Sequence, residues 1–219
     1  MSESPVENLR ITEIFFSLQG EAKHVGAPTV FVRLTGCPLR CGYCDSEYAF
    51  YGGEKQSIDS IVETVKAFSA PYVCVTGGEP LAQPGARLLL ERLCESGCKV
   101  SLETSGALPI DGVDRRVSVV MDIKTPGSGE VDKNRYENVA LLKNTDQVKF
   151  VICDRSDYEW ARFKIADLAL DSRVEDIWFS PAYQQVEAKE LAEWILQDRL
   201  PVRLQLQLHK LLWGDKPGV

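Results

Sequence analysis

A β-branched apolar run at residues 29–35 (TVFVRLT) empties directly into a loop, residues 36–46 (GCPLRCGYCDS), that carries Cys37, Cys41 and Cys44. No other stretch restricts the chain so tightly, because three thiols at C-x3-C-x2-C spacing have to share one small volume at the end of a strand. Thiolates are soft ligands, and clustered ones suit iron–sulfur clusters or zinc. A four-iron cubane normally takes four cysteines. This loop supplies three and offers no local fourth, so one iron would keep an open position, which implies chemistry on a bound ligand. Structural zinc prefers paired C-x2-C knuckles and a closed set of four ligands. A second knuckle is missing, and the only histidines are His24 and His209. The spacing favours a cluster, with zinc as the alternative.

Short β-rich runs alternate with helical stretches along the chain, which argues for parallel strands and crossover helices. Strands are expected at residues 11–17, 29–35, 72–76, 99–102, 117–121, 147–152 and 176–179. Residues 57–69 read as an amphipathic helix capped by Ser57, with Ile58, Ile61, Val62, Val65 and Phe68 on one stripe. Further helices are expected at residues 84–96, 155–170 and 187–198. Residues 202–208 (VRLQLQL) alternate apolar and polar, the pattern of a late strand with one wetter face. Residues 125–133 are expected to form a long mobile loop. The rhythm suits an open β/α barrel in one domain spanning residues 1–219, and the motifs fall just after strands, where such barrels place their active sites.

The net charge of −7 and the lack of a basic stripe argue against direct nucleic-acid binding and favour a small-molecule substrate. No apolar run approaches the roughly 18 residues that span a bilayer. The first ten residues, MSESPVENLR, lack the order of a signal peptide. A cytoplasmic protein with no membrane contact is expected. The seven cysteines then do not form a disulfide framework. Cys74 and Cys153 sit in apolar runs and read as small buried hydrophobes. Cys94 and Cys98 repeat the C-x3-C spacing, but Gly97 between them is expected to end a helix and separate their faces.

The three-cysteine loop resembles that of the radical S-adenosylmethionine (SAM) superfamily. Residues 17–50, with TGGEP at 76–80 and ETSG at 103–106, further resemble the 7-carboxy-7-deazaguanine synthase family of the queuosine and 7-deazapurine pathway, which supplies a tRNA modification. The likeness runs from about Arg10 to the C-terminus. It implies an incomplete, TIM-like β/α barrel. It also implies a lyase that converts 6-carboxy-5,6,7,8-tetrahydropterin to 7-carboxy-7-deazaguanine with loss of ammonia. Cys37, Cys41 and Cys44 would hold a 4Fe–4S cluster whose open iron chelates SAM. The resemblance further implies that SAM is regenerated, that Mg2+ assists, that a flavodoxin or ferredoxin-type reductant feeds the cluster and that the enzyme is a homodimer.

The same resemblance assigns site residues. Gly78 would contact SAM, and two adjacent glycines let backbone approach a ligand closely. Tyr43 and Asp45, flanking Cys44, would touch the adenine side through backbone. Asp122, Ile123 and Lys124 stand where relatives carry Ser-Pro-Lys, so backbone contacts are expected there, with Lys124 retained. Glu103 is expected on the ribose or amino group of SAM, its alternative being a strand-end surface carboxylate. Substrate contacts fall to Leu18, Gln19, Gly20, Arg33 and Thr76. Arg33 interrupts an apolar strand, and a guanidinium facing a buried site needs an anionic partner, such as the pterin carboxylate. An ion pair with Glu13 or Glu21 is the alternative. Ser46 keeps the hydroxyl that binds Mg2+ in relatives with Thr there; a turn or cap is its other reading. The tail, LHKLLWGDKPGV, approaches the substrate in relatives, yet His209 and Lys210 read as structural.

Two rivals remain open on sequence alone. A glycyl-radical-enzyme activase shares C-x3-C-x2-C, although SLQGE and CDS fit the pterin enzyme better. A non-enzymatic iron–sulfur electron carrier would need no GGEP loop.

Overall fold

The computed structural model describes residues 7–214, 216 and 218. Residues 1–6, part of the targeting argument, and Asp215, Pro217 and Val219 of the tail lie outside the described residues.

Nine strands form one sheet in the order β3-β1-β2-β4-β5-β6-β7-β8-β9. The chain enters through β1 (Asn8–Leu18) and turns back antiparallel into β2 (Pro28–Leu34), which leads into the cysteine loop. A short edge strand, β3 (Glu54–Ser57), pairs with the start of β1 and leads straight into α1 (Ile58–Ala67). From β2 onward the pairing is parallel. The elements follow as β4 (Tyr72–Gly77), α2 (Ala86–Glu95), β5 (Lys99–Thr104), β6 (Ser118–Asp122), β7 (Gln147–Ile152), α3 (Arg155–Asp167), β8 (Asp176–Pro181), α4 (Ala188–Asp198), β9 (Arg203–Leu204) and α5 (Leu208–Trp213). The sheet does not close, since β3 and β9 are its two ends. A partial β/α barrel results.

Local chemistry accounts for the helices. Ser57 Oγ accepts from the Ser60 amide and caps α1, whose Ile58, Ile61, Val62 and Val65 are buried. Phe68, expected on the same stripe, lies past the helix end, 38% exposed, stacked on Phe16. Asp154 caps α3 through the Asp157 amide. Helices α1 and α2 cover an apolar layer under β1, β2, β4 and β5, built from residues such as Val32, Ile61, Val75, Leu90 and Leu102. Helices α3 and α4 cover a second layer under β6–β8 with Phe150, Tyr158 and Phe179 at its centre. Two layers on one face leave the other face free to curl around a cavity.

Three expectations fail. The late strand shrinks to Arg203–Leu204, where Arg203 is exposed and Leu204 packs on the core as expected, but the alternation inverts beyond it: Gln205 is 4% exposed and Leu206 is 39% exposed. The chain then turns into α5, which the sequence reading omitted along with β3. Residues 125–133 are not a free loop. They form two 3-10 turns pinned by the buried Asp157, which accepts from Thr125 Oγ1 and the Gly127 amide, both at 2.8 Å. Cys74 and Cys153 are buried as expected, and Gly97, at φ +87°, turns the chain between a buried Cys94 and a half-buried Cys98.

Candidate active site

The ends of the parallel strands converge on one cavity of about 310 Å3. Residues from β1, β2 and β4 to β8 all reach it, which requires the sheet to wrap as a partial barrel does. Cys37, Cys41 and Cys44 line it, as do Leu18, Gln19, Gly20, Arg33, Tyr43, Asp45, Ser46, Thr76, Gly78, Glu103, Asp122 and Lys124. Ile123 alone of the expected residues does not: its side chain is 3% exposed in the core, and its amide is spent on the Lys149 carbonyl. Only its own carbonyl remains for a ligand.

The cysteine loop is held from outside by its neighbours. The Gly36 amide donates to Ala49 O, the Glu79 amide to Gly36 O at 2.8 Å, and the Gly42 amide to Ser128 O at 3.0 Å. The backbone of Arg40 donates to Glu130, so the 3-10 segment after β6 buttresses this loop. Glycine is required at position 78, because a Cβ there would overlap the Gly36 carbonyl and sit 2.8 Å from Cys37 Cβ. The GGEP turn therefore lies directly against the cysteine loop. Glu79, given no role of its own in the sequence, fixes the turn: its buried carboxylate accepts from Leu81 N, Thr104 Oγ1, Ser105 N and Ser105 Oγ.

The residues present fit a cluster with SAM. Burial raises all three thiols, Cys41 to about 11, so these sulfurs need an electropositive partner to ionise. Among the described residues no three His, Cys, Asp or Glu side chains are gathered around a single ion. Such gathering is what a zinc site needs, whereas in a cubane each thiolate binds a different iron. Two polar atoms beside the thiols are buried without a hydrogen-bond partner among the described residues, Tyr43 Oη and Asp122 Oδ1. An orphaned buried polar atom costs free energy unless a ligand satisfies it. The other oxygen of Asp122 holds Lys124 Nζ at 2.9 Å, and Nζ lies 5.7 Å from the centre of the Tyr43 ring. Burial opposes the Lys124 charge, but Asp122 and the neighbouring cysteines outweigh it and raise its pKa. Tyr43 thus offers its side chain as well as its backbone.

The opposite wall is polar and charged. Arg33 Nε donates to Glu13 at 2.7 Å, so the ion-pair alternative is realised with Glu13 and not with Glu21. Its guanidinium also lies over Phe15 and Tyr48 and faces the cavity. The bond to Glu13 uses Nε, and among the described residues the two Nη groups form no hydrogen bond, leaving the fork for a ligand. Thr76 Oγ1 donates to Glu103 at 3.0 Å. Glu103 stands on this wall, near Arg33, Lys149 and Glu21. Burial first and Glu21 second raise its pKa.

From the sequence alone, Lys149 and Gln207 of this wall have no role, and Glu21 is only an alternative partner for Arg33. Glu21 pairs with Lys149, and Gln205 and Gln207 donate to its two oxygens at 2.8 and 2.9 Å. Burial opposes the Glu21 charge, yet Lys149 and the amide of Gln207 hold its pKa down. Lys149 had a visible signal, since it interrupts the apolar strand QVKFVI as Arg33 interrupts TVFVRLT. Asp45 opens onto the cavity, bonded to Ser46 Oγ at 3.0 Å and to Gln207 at 3.0 Å. Burial works against its charge, but Gln207 and Lys210 bring it to about 2. His209 and Lys210, read as structural, both line the cavity.

Residues 31–123 match the radical SAM superfamily. The chain is 47% identical over 215 residues to the 7-carboxy-7-deazaguanine synthase of Chlorobaculum tepidum, covering 96% of this chain and 97% of that protein. Identity to the protein of the same name from Koribacter versatilis is 45% over 219 residues, with 94% and 97% covered. The fold is that of the crystal structure of QueE from Escherichia coli, at a TM-score of 0.71 and 23% identity over 91% of this chain and 94% of that one.

Proposed function

The chain belongs to the 7-carboxy-7-deazaguanine synthase family, a branch of the radical SAM superfamily, and from that premise we propose that its cavity rearranges a carboxylated tetrahydropterin. It is a radical SAM lyase of the queuosine pathway that converts 6-carboxy-5,6,7,8-tetrahydropterin to 7-carboxy-7-deazaguanine with loss of ammonia. The activase and electron-carrier readings find no comparable support among the relatives.

The observation that carries this reading is the division of one cavity into a three-thiol wall and a wall built around an unsaturated guanidinium fork. A 4Fe–4S cluster with SAM, when bound, supplies a 5′-deoxyadenosyl radical able to abstract hydrogen. Cys37, Cys41 and Cys44 hold the cluster. The Gly78 backbone, Tyr43 Oη, Asp45, Asp122 Oδ1, the Ile123 carbonyl and Lys124 take the polar groups of SAM. Arg33 grips the pterin carboxylate bidentately through its Nη groups. Gln19 offers donor and acceptor to a pterin edge, though its side chain already accepts from the Glu21 amide at 3.3 Å. Leu18 and Gly20 shape the loop around it. Thr76 and Glu103 face the same ligand. Glu103, initially expected on SAM, is assigned to the pterin side, because its neighbours are Thr76, Arg33 and Lys149.

Ser46 binds Mg2+, its hydroxyl beside Asp45 and open to the cavity. Magnesium keeps most of its waters and needs few protein ligands. A flavodoxin or ferredoxin-type reductant delivers electrons. The exposed Leu211, Leu212 and Trp213 of α5 provide apolar surface for a homodimer. The enzyme works in the cytoplasm; no helix among the described residues is long and apolar enough to cross a membrane.

Anaerobic incubation of the reconstituted protein with the pterin, SAM, Mg2+ and dithionite tests the reading. Formation of 7-carboxy-7-deazaguanine is expected; reductive SAM cleavage without that product would remove the substrate assignment.

A further inference from the structure

We infer that Gln207, between β9 and α5, is a positioning residue that locks the Gln19–Gly20 loop to the cysteine loop and so sets the pterin-binding side of the cavity. The inference builds on the pterin reading given above.

Its amide nitrogen donates to two carboxylates at once, Glu21 Oε1 at 2.9 Å and Asp45 Oδ2 at 3.0 Å. Glu21 lies in the loop after β1, and Asp45 follows Cys44. Two carboxylates brought this close repel unless nearby cations offset them. Each has its own counterweight: Lys149 on Glu21, and Lys210, 3.6 Å away, on Asp45. With those charges offset, a neutral donor between them joins the loops without adding charge to the site.

The neighbouring tail residues bind the first loop only. Gln205 Oε1 accepts from the Ala22 amide at 2.5 Å, and its Nε2 donates to Glu21 Oε2. The Leu208 amide donates to Gly20 O at 3.0 Å. Gly20 itself is packed against the His209 ring so closely that a Cβ there would overlap Nδ1. Residues 205–209 therefore lie along residues 19–22 as a strap. Gln207 alone in that strap also reaches the cysteine loop by a hydrogen bond; Lys210 reaches it by charge. This explains why the alternation inverts after Leu204: the glutamines turn inward because Glu21 needs donors, and Leu206 is left outside.

The test uses the cluster-loaded enzyme with Gln207→Met, close in shape but unable to bridge, and Gln207→Glu, which adds a third carboxylate. The pterin KM should rise about tenfold or more in Gln207→Met and further in Gln207→Glu, within what the loss of two charge-assisted bonds can cost. Iron content and SAM KM should stay within about twofold of the parent protein on the same scale. An unchanged pterin KM, or an equal loss towards SAM and pterin, overturns the inference. Hydrogen exchange decides the coupling without turnover: amides of residues 19–22 should exchange faster in Gln207→Met, and unaltered protection overturns the inference as well. If the parent protein makes no deazaguanine, the pterin reading falls, and the exchange result still judges the coupling.

Discussion

The two walls of the cavity are built differently. The thiol wall comes from short contiguous segments, residues 37–46 and 76–79, held by backbone hydrogen bonds and by a glycine that lets two loops touch. The recognition wall gathers Gln19, Glu21, Arg33, Glu103, Lys149 and Gln207 from the whole length of the chain, and ion pairs and amide bonds hold it together. A soft inorganic centre needs its ligands close in space, and a tight loop achieves that locally. An organic anion is recognised by charges arriving from several directions, which only the folded sheet brings together.

The contrast can be broken hardest on the thiol side. Cys37→Ala, Cys41→Ala or Cys44→Ala should each abolish turnover and lower bound iron, because all three grip one cluster; any single variant with full turnover is not missing a ligand. Next comes Arg33→Ala, expected to raise the pterin KM by about a hundredfold while sparing SAM, from two lost charge-assisted bonds. Equal weakening towards both ligands would dissolve the separation of the walls.

Lys149→Met leaves Glu21 without its cation. Each partner keeps some accessible surface, so the expected cost is about 2–3 kcal/mol in urea unfolding, below the range for fully buried pairs. A stability change under about 0.5 kcal/mol, ordinary for a surface site, would show that the pair does not hold the wall. Smaller still, Ser46→Ala should blunt the response to Mg2+ with little change in its absence; an unaltered magnesium titration would remove Ser46 from the site.

The smallest effect concerns pH. Burial and Glu21 raise Glu103 above its ordinary 4.5, so the folded cluster-free chain binds that proton more tightly than the unfolded chain. The stabilisation is complete below 4.5 and is lost as pH climbs through the raised value. Glu103→Gln carries no such proton, so its stability relative to the parent should improve as pH rises above 4.5. A difference independent of pH would place Glu103 in a more open setting.

The same contrast explains what was legible in the sequence. Most strands and helices, the thiol loop and the GGEP turn could be read because each is governed by neighbours within a few residues. Arg33 was visible as a charge inside an apolar strand, and Lys149 carried the same mark unread. Glu21, Gln205 and Gln207 were hidden because their partners lie up to 186 positions away. The tail misled outright, since alternation states that two faces differ and leaves open which one faces inward; a buried carboxylate decided that. Residues 125–133 were mistaken for a mobile loop because their anchor, Asp157, arrives from the first turn of α3.

Everything said of the thiol wall depends on a cubane held at three corners with the fourth free for SAM. Anaerobic reconstitution with iron analysis, followed by Mössbauer spectroscopy with and without SAM, tests this directly. The account predicts four irons per chain, with one iron site changing its spectrum when SAM is added. Zinc in place of iron, or a cluster whose four irons all ignore SAM, would contradict it.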